Sequence, residues 1–124
     1  MSGKKALILD RRIEIRASKI HGFGVFANDF IPKDAVIEEA YGLSFKGFNA
    51  PSNPLSDLVK KYYFMANDLN WIATGFASIY NHSNAPNVKY GLMLNKFWVF
   101  ITIKDVQKDE ELYIDYGPKY KWET

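Results

Sequence analysis

The amino-acid sequence predicts a mostly β fold with one or two short helices. Short runs of β-branched and aromatic residues recur along the chain, and clusters of Gly, Pro, Asn and Asp separate them. Aromatic residues make up 16% of the sequence, an excess that strands favour. No segment repeats its apolar residues with the period of a long amphipathic helix. With 124 residues, the chain is expected to form a single domain.

The N-terminal half contains three predicted strands. Residues 13–17 alternate apolar and charged side chains, as a half-buried strand does. Residues 25–26 predict a short second strand, and residues 35–41 (AVIEEAY) predict a third. The segment between them, residues 30–34 (FIPKD), has the composition of a turn.

The middle of the chain is predicted to be a loop followed by a short helix. Residues 42–54 are rich in Gly, Pro and Asn, and the segment is long enough for a functional loop. Asn53 and Pro54 are typical of a helix start, since one can cap the helix and the other suits its first position. A helix is therefore expected over residues 54–61, and a strand over residues 62–65.

The C-terminal half has the strongest β signal. Residues 88–94 and 97–103 are predicted to form a hairpin around the turn residues Asn95 and Lys96. A last strand is expected over residues 112–114.

The composition excludes several kinds of site. The chain has no cysteine, so it has no disulfide, thiolate zinc site, iron–sulfur cluster or cysteine nucleophile. Its two histidines have no spacing that suggests metal ligands, and no metal is expected. The net charge is +2 without a basic run, so nothing indicates direct binding of nucleic acid. The apolar run of residues 7–9 is too short for a signal peptide or a membrane span, so an intracellular protein without membrane contact is expected.

A glycine motif lies near the N-terminus. In residues 21–27 (HGFGVFA), Gly22, Gly24 and Ala27 fit G-x-G-x-x-A, which is typical of a dinucleotide-binding turn. Such a turn must lead directly into a helix, but the next residues are β-branched and aromatic and Pro32 follows soon after. Two interpretations remain, a tight turn that needs glycine or a backbone that approaches a ligand closely.

Two further segments are ambiguous when each is considered alone. Residues 76–87 (FASIYNHSNAPN) have the composition of a polar turn, and residues 109–117 (DEELYIDYG) suggest a strand that ends at a glycine. Acidic residues such as Glu38 and Glu39 could meet a basic peptide, although a solvated surface is the simpler interpretation of most of them.

Together, the three segments resemble the SET domain of protein-lysine methyltransferases. G-x-G-V-F-A, N-H-S-x-x-P-N and E-E-L-x-x-D-Y occur in the order and spacing of that family, and the similarity runs from about Ile13 to Tyr120. The short chain resembles the minimal members from large DNA viruses and short bacterial members. The resemblance implies a β-clip fold with a C-terminal pseudoknot, and a single SET domain without a pre-SET or zinc-binding post-SET segment.

The resemblance also implies a cofactor, S-adenosylmethionine. Backbone near the paired glycines would line its methionine part, Asn81 would hold its amino group through the side-chain amide, and His82 would contact the adenine through its backbone. Trp122 would stack on the adenine. The residues expected to bind the cofactor are Gly22, Phe23, Gly24, Asn81, His82 and Trp122.

The same resemblance places Tyr116 at the point of methyl transfer and assigns a lysine channel to Tyr62, Ile114 and Tyr120. The chemistry suits tyrosines, because the incoming lysine must be neutral and an apolar channel lowers its pKa from about 10.4. The lysine proton can leave through water, so no strong base is needed. Aromatic rings tolerate a cation, and hydroxyl groups can orient the amine.

The chain departs from the family pattern at two positions. Many members carry a zinc-binding cysteine where this chain has Asn84. Ile114 stands where Phe or Tyr often limits the number of methyl groups, so di- or trimethylation is expected.

The expected partner is a lysine-containing protein or peptide, with a histone tail as the family-based target. A homodimer is possible, and the expected site of action is the host nucleus for a viral protein or the cytoplasm for a bacterial one. Two other interpretations remain open. One is a non-catalytic module that binds a peptide or cofactor, and the other is an unrelated β-rich interaction domain.

Overall fold

The computed structural model describes residues 6–46, 64–66, 69–94 and 96–116. Within these ranges the chain forms strands and no helix. The predicted helix over residues 54–61 lies outside them. The strands are β1 (Ile13–Ala17), β2 (Phe23–Ala27), β3 (Val36–Phe45), β4 (Phe64–Ala66), β5 (Leu69–Ala73), β6 (Asn81–His82), β7 (Val88–Met93), β8 (Phe97–Thr102) and β9 (Glu111–Ile114). Nowhere in the described ranges is there a helix with the length and apolar character to cross a bilayer.

The strands form two sheets. One has the order β1-β2-β9-β6, and the other has the order β4-β5-β3-β8-β7. Neighbouring strands are antiparallel except for β6 and β9, which are parallel and pair Asn81 with Tyr113 and His82 with Ile114. A parallel pair cannot be closed by a tight turn. The segment between β6 and β9 therefore leaves the four-stranded sheet, forms the β7–β8 hairpin of the other sheet and returns, as the predicted β-clip fold with a pseudoknot requires.

Most strands predicted from the sequence are present within one or two residues of the expected bounds. The β7–β8 hairpin turns where expected, with the Lys96 amide donating to the Met93 carbonyl at 3.0 Å. The loop predicted from residue 42 is wrong over its first four residues, because β3 continues to Phe45 and pairs there with β5, a strand that was not predicted. Gly42 suits this strand because it lies against two tryptophans, and a Cβ there would be 2.8 Å from Trp71 Cε3.

The core of the five-stranded sheet is aromatic. The Phe64 ring lies 4.9 Å from Trp98 and 5.3 Å from Tyr90, measured between ring centroids. Tyr80 stacks on Phe100 at 4.7 Å. Burial of such large rings is a major source of folding free energy.

Glu38 is buried in this core with an exposure of 2%, so its interpretation as a surface acid was wrong. The pairing of β3 with β8 shifts register between Val36 and Glu38, which forms a bulge. The bulge allows both Ile37 and Glu38 to face inward, although a regular strand would send neighbouring side chains to opposite faces.

Candidate active site

A cavity of about 430 Å³ lies beside the start of β2, a volume in the range of small-molecule sites. It joins Gly22 and Phe23, which precede and open β2, with Asn81 of β6 and Tyr116, which follows β9. The fold thus brings together these four predicted site residues from three separate segments. The described residues that line the cavity are His21, Gly22, Phe23, Ser78, Ile79, Asn81 and Tyr116.

The two glycines of the N-terminal motif serve different purposes. Gly22 has φ +50°, a conformation that glycine adopts without strain, and its carbonyl accepts a 2.8 Å hydrogen bond from the Ser18 amide. Gly24 does not line the cavity. A Cβ at Gly24 would overlap the Glu111 carboxylate and lie 2.9 Å from Asn81 Nδ2, so this glycine leaves room for two polar side chains.

The side-chain amide of Asn81 is oriented by three acceptors around its nitrogen atom. Its Nδ2 donates to the carbonyls of His21 and Phe23, both at 3.2 Å, and to the Glu111 carboxylate at 2.8 Å. Because Nδ2 is held by these acceptors, Oδ1 is the end of the amide that can accept a hydrogen bond from a ligand. An oriented amide oxygen beside backbone carbonyls is a suitable site for an ammonium group.

Tyr116 is held at both its backbone and its hydroxyl. The hydroxyl donates to the backbone carbonyl of Tyr80 at 2.6 Å, and the backbone amide donates to Nδ1 of His82 at 2.9 Å. Since Nδ1 accepts, the neutral His82 ring carries its proton on Nε2, which lies 3.1 Å from Asn84 Oδ1. The sequence predicted a backbone role for His82, and its ring adds a second role that sequence reasoning missed.

The crossing of β6 and β9 is secured by hydrogen bonds between their flanking segments. The Asn87 side chain donates to the Glu111 carbonyl at 2.9 Å and accepts from the Tyr113 amide at 2.7 Å. The Ser83 amide donates to the Ile114 carbonyl at 3.0 Å. These bonds fix the distance between the N-H-S segment and the segment that carries Tyr116.

Ile114 is fully buried in the apolar core, and it is not among the described residues that line the cavity. Its assignment to the lysine channel stays a prediction. Tyr62, Tyr120 and Trp122 lie outside the described residues. Within the described part of the chain, no group of three or more His, Asp or Glu side chains is arranged to hold a metal ion.

Two carboxylates near the cavity were missed as site residues. Glu111 accepts hydrogen bonds from the hydroxyls of Ser18 at 2.8 Å and Tyr113 at 3.2 Å as well as from Asn81. Burial, and then the charge of Glu111, raise the pKa of Tyr113. Glu111 belongs to the E-E-L-x-x-D-Y segment, but the resemblance assigned it no role, and Glu38 lies beside a second glutamate from which the sequence does not distinguish it.

Comparison with known proteins identifies the family. The profile of the SET domain matches residues 22–117, which include the paired glycines, the N-H-S segment and Tyr116. The chain belongs to the SET domain family.

Two relatives agree with this SET domain assignment. A histone-lysine N-methyltransferase of Schizosaccharomyces pombe, specific for lysine-37 of histone H3, is 30% identical over 107 residues, which are 85% of this chain and 73% of that protein. A crystal structure from Plasmodium falciparum, assigned as a histone methyltransferase, superposes with a TM-score of 0.71 at 27% identity. That match covers 90% of this SET domain chain and 98% of the other. Family and relatives together support a methyltransferase of protein lysines.

Proposed function

We propose that this SET domain transfers a methyl group from S-adenosylmethionine to a lysine side chain of a histone tail. The observation that carries the proposal is the meeting of three groups at one cavity. These are the Gly22–Phe23 backbone, the oriented amide of Asn81 and the hydroxyl of Tyr116.

The described residues fit the amino-acid part of such a cofactor. The Asn81 Oδ1 atom, oriented by the bonds to Nδ2, would accept from an ammonium group. Gly22 brings backbone to the cavity wall without a side chain, and the apolar surfaces of Phe23 and Ile79 would contact the rest of the molecule. When bound, S-adenosylmethionine supplies a methyl group on a sulfonium, which a neutral amine can attack.

The role of Tyr116 in the proposal is to position and stabilise. Its hydroxyl donates to the Tyr80 carbonyl, and its oxygen would contact a polarised methyl group or accept from an amine. The Tyr80 carbonyl adds a second partial negative charge at the same point. Because both groups are fixed before a substrate arrives, they need no reorganisation during the reaction.

The histone target is proposed from the relatives and from family resemblance. A lysine-peptide array that covers the histone tails, incubated with S-adenosylmethionine and analysed by mass spectrometry, tests it directly. We expect a mass gain of whole methyl groups on one or a few lysines. Transfer only to non-histone lysines would refute the target, and no transfer to any peptide with intact cofactor binding would indicate a non-catalytic module.

The number of methyl groups added is a separate proposal. Because Ile114 lacks a hydroxyl that could hold a water molecule beside the lysine, di- or trimethylated product is expected. The same mass spectra decide this, since product that stops at monomethyl-lysine would contradict the proposal.

The homodimer also stays a proposal from the resemblance, as does the nuclear or cytoplasmic site of action. Sedimentation of the purified chain at several concentrations would establish the oligomeric state.

A further inference from the structure

Outside the cavity wall, the Glu38 carboxylate is unusual because it is an acid buried in the core. It is buried behind the segment 75–80, whose residues Ser78 and Ile79 line the cavity. The Phe76 amide donates to Glu38 Oε2 at 2.7 Å, and the Tyr80 hydroxyl donates to Oε1 at 2.8 Å. The backbone amide of Ala77 also lowers the pKa of Glu38. One side chain therefore holds both ends of the segment.

The shape of the segment depends on this carboxylate. Gly75 has φ +71°, and a Cβ at Gly75 would overlap Glu38 Oε2. The turn that follows is closed by a 2.8 Å bond from the Ile79 amide to the Phe76 carbonyl. Glycine at this position therefore leaves room for the backbone to turn closely around the Glu38 carboxylate in the core.

Tyr80 connects this buried acid to the proposed reaction centre. Its side chain is bonded to Glu38 and stacked on Phe100, and its backbone carbonyl accepts from the Tyr116 hydroxyl at 2.6 Å. The carbonyl orientation is fixed by the peptide plane, whose position depends on where the Tyr80 side chain is held. A shift of Tyr80 therefore moves the acceptor of the Tyr116 hydroxyl.

We propose that Glu38 is a positioning residue that, through Tyr80, sets the orientation of the Tyr116 hydroxyl. The catalytic consequence of this inference rests on the proposed function. The coupling of Glu38 to the Tyr80 carbonyl does not, because it depends on the fold alone.

Protonation of Glu38 would disturb this arrangement. All the groups directed at the carboxylate are donors, so an added proton would displace one of them. A proton on Oε1 would compete with the Tyr80 hydroxyl for that contact, and a proton on Oε2 would compete with the Phe76 amide. Burial raises the pKa of Glu38 to about 7, opposed by the bonds from Tyr80 and the two amides.

The groups that face Glu38 from neighbouring elements are few. Tyr80 is the titratable group in contact with it, and burial raises the pKa of Tyr80 well above its usual value, assisted by the charge of Glu38. The backbone neighbours on the two sides of Glu38 are the apolar residues Leu9 and Phe100. No charged group among the described residues contributes to the pKa of Glu38.

A direct test is an NMR titration of the Tyr80 carbonyl carbon, detected through the amide of Asn81 in a carbonyl-correlated spectrum. In the wild-type protein we expect this carbon to shift with a midpoint near pH 7. Glu38→Gln should abolish the titration. Tyr80→Phe keeps the backbone carbonyl but removes the hydroxyl that couples it to Glu38, so the amplitude of the titration should fall.

Glu39→Gln is the matched control, because Glu39 is the adjacent carboxylate and is not buried as Glu38 is. It should keep the wild-type midpoint. A wild-type carbon that does not titrate, or one that keeps its midpoint in Glu38→Gln, would overturn the proposal. Loss of stability alone would not move the midpoint, so the readout separates positioning from a purely structural role.

Methyl-transfer kinetics then test the catalytic consequence. At pH 8, Glu38→Gln should lower kcat about ten- to hundredfold, as displacement of a group at a reaction centre does, while the cofactor Kd changes by less than about threefold. Its pH profile should lose the step near pH 7. An active wild-type protein with no such step would overturn the positioning role and leave the methyltransferase intact. A wild-type protein that methylates nothing would refute the proposed function, while the carbonyl titration still decides the coupling.

Discussion

In the five-stranded sheet, aromatic rings pack against one another, whereas the four-stranded sheet is fastened near the cavity by polar side chains. Phe64, Tyr90 and Trp98 have ring centroids between 4.9 and 6.0 Å apart. Asn81 and Asn87 instead donate to or accept from backbone groups at 2.7–3.2 Å. Ring packing contributes a large free energy with little directional demand, while hydrogen bonds contribute less but fix position more closely. The division suggests that one sheet supplies stability and the other supplies geometry.

The largest expected effect comes from removal of a ring in the aromatic sheet. Phe64→Ala should lower the free energy of unfolding by about 3–5 kcal/mol, because it deletes a ring packed on Tyr90 and Trp98. At a temperature where the variant stays folded, kcat should be unchanged. Chemical denaturation and methyl-transfer assays measure the two effects.

Phe30→Ala is the control for that change, since Phe30 is 44% exposed and its loss should cost less than about 0.5 kcal/mol. A strong loss of kcat in folded Phe64→Ala would mean that the two sheets do not divide their tasks as described.

The next effect is a pH dependence of the free energy of unfolding. It comes from Glu38, which lies in the five-stranded sheet and bonds to the segment beside the cavity. The folded-state pKa of Glu38 is about 7 against 4.5 for the free side chain, so the folded protein binds this proton more tightly than the unfolded chain does. Proton binding at Glu38 therefore adds about 3 kcal/mol to the free energy of unfolding. This contribution is fully present below about pH 4.5 and is lost as the pH rises through 7.

Urea unfolding of the wild-type protein and of Glu38→Gln at several pH values checks this. The stability of the variant relative to the wild type should increase from pH 4.5 to pH 8. A difference that stays constant across this range would contradict the raised pKa.

A smaller effect is expected on the rate when the hydroxyl of Tyr116 is removed. Tyr116→Phe should lower kcat about a hundredfold, in line with loss of one preorganised polar group at a reaction centre, and leave both the fold and the cofactor Kd unchanged. Calorimetry and initial rates measure these quantities. Tyr41→Phe, at a 52% exposed position, should keep full activity, and full activity of Tyr116→Phe would overturn the assignment of its role.

The smallest effect is expected from Asn87→Ala, which removes one donor and one acceptor that hold β9 to the segment after β6. We expect the free energy of local opening at this contact to fall by about 2 kcal/mol, at about 1 kcal/mol for each hydrogen bond. Amide hydrogen exchange should accelerate at Tyr113, which bonds to Asn87, and stay unchanged at Phe100 in the other sheet. Equal acceleration at both amides would show that the polar contacts stabilise the whole domain and do not act locally.

The sequence predicted those parts of the fold whose signal is local. The β7–β8 hairpin follows from two apolar runs and a turn, and β1 follows from alternation at residues 13–17. The strand β5 was missed because residues 69–73 (LNWIA) are short and contain Asn70, and the extension of β3 was missed because Gly42 looked like a loop residue. Both errors have the same cause, a tertiary contact that the sequence does not show. In the folded protein, Trp71 and Trp98 lie beside Gly42.

The candidate site was predicted only in part, and the reason is again distance along the chain. The resemblance identified Asn81 and Tyr116, which the cavity brings together. It could not show that a bulge at Ile37 turns Glu38 inward, because two adjacent glutamates in a strand look alike from the sequence. Nor could it show that the His82 ring accepts from the Tyr116 amide, a bond that exists only once β6 and β9 have paired.

The parallel pairing of β6 with β9 has a consequence for biosynthesis. Asn81 and the N-terminal glycines leave the ribosome before their neighbours Glu111 and Tyr113. Domains form as the chain emerges, and contacts between distant segments are slow to close. The cavity wall can therefore be completed only after translation has passed residue 116. A nascent chain that ends before residue 116 would hold the aromatic hairpin without the complete cavity wall.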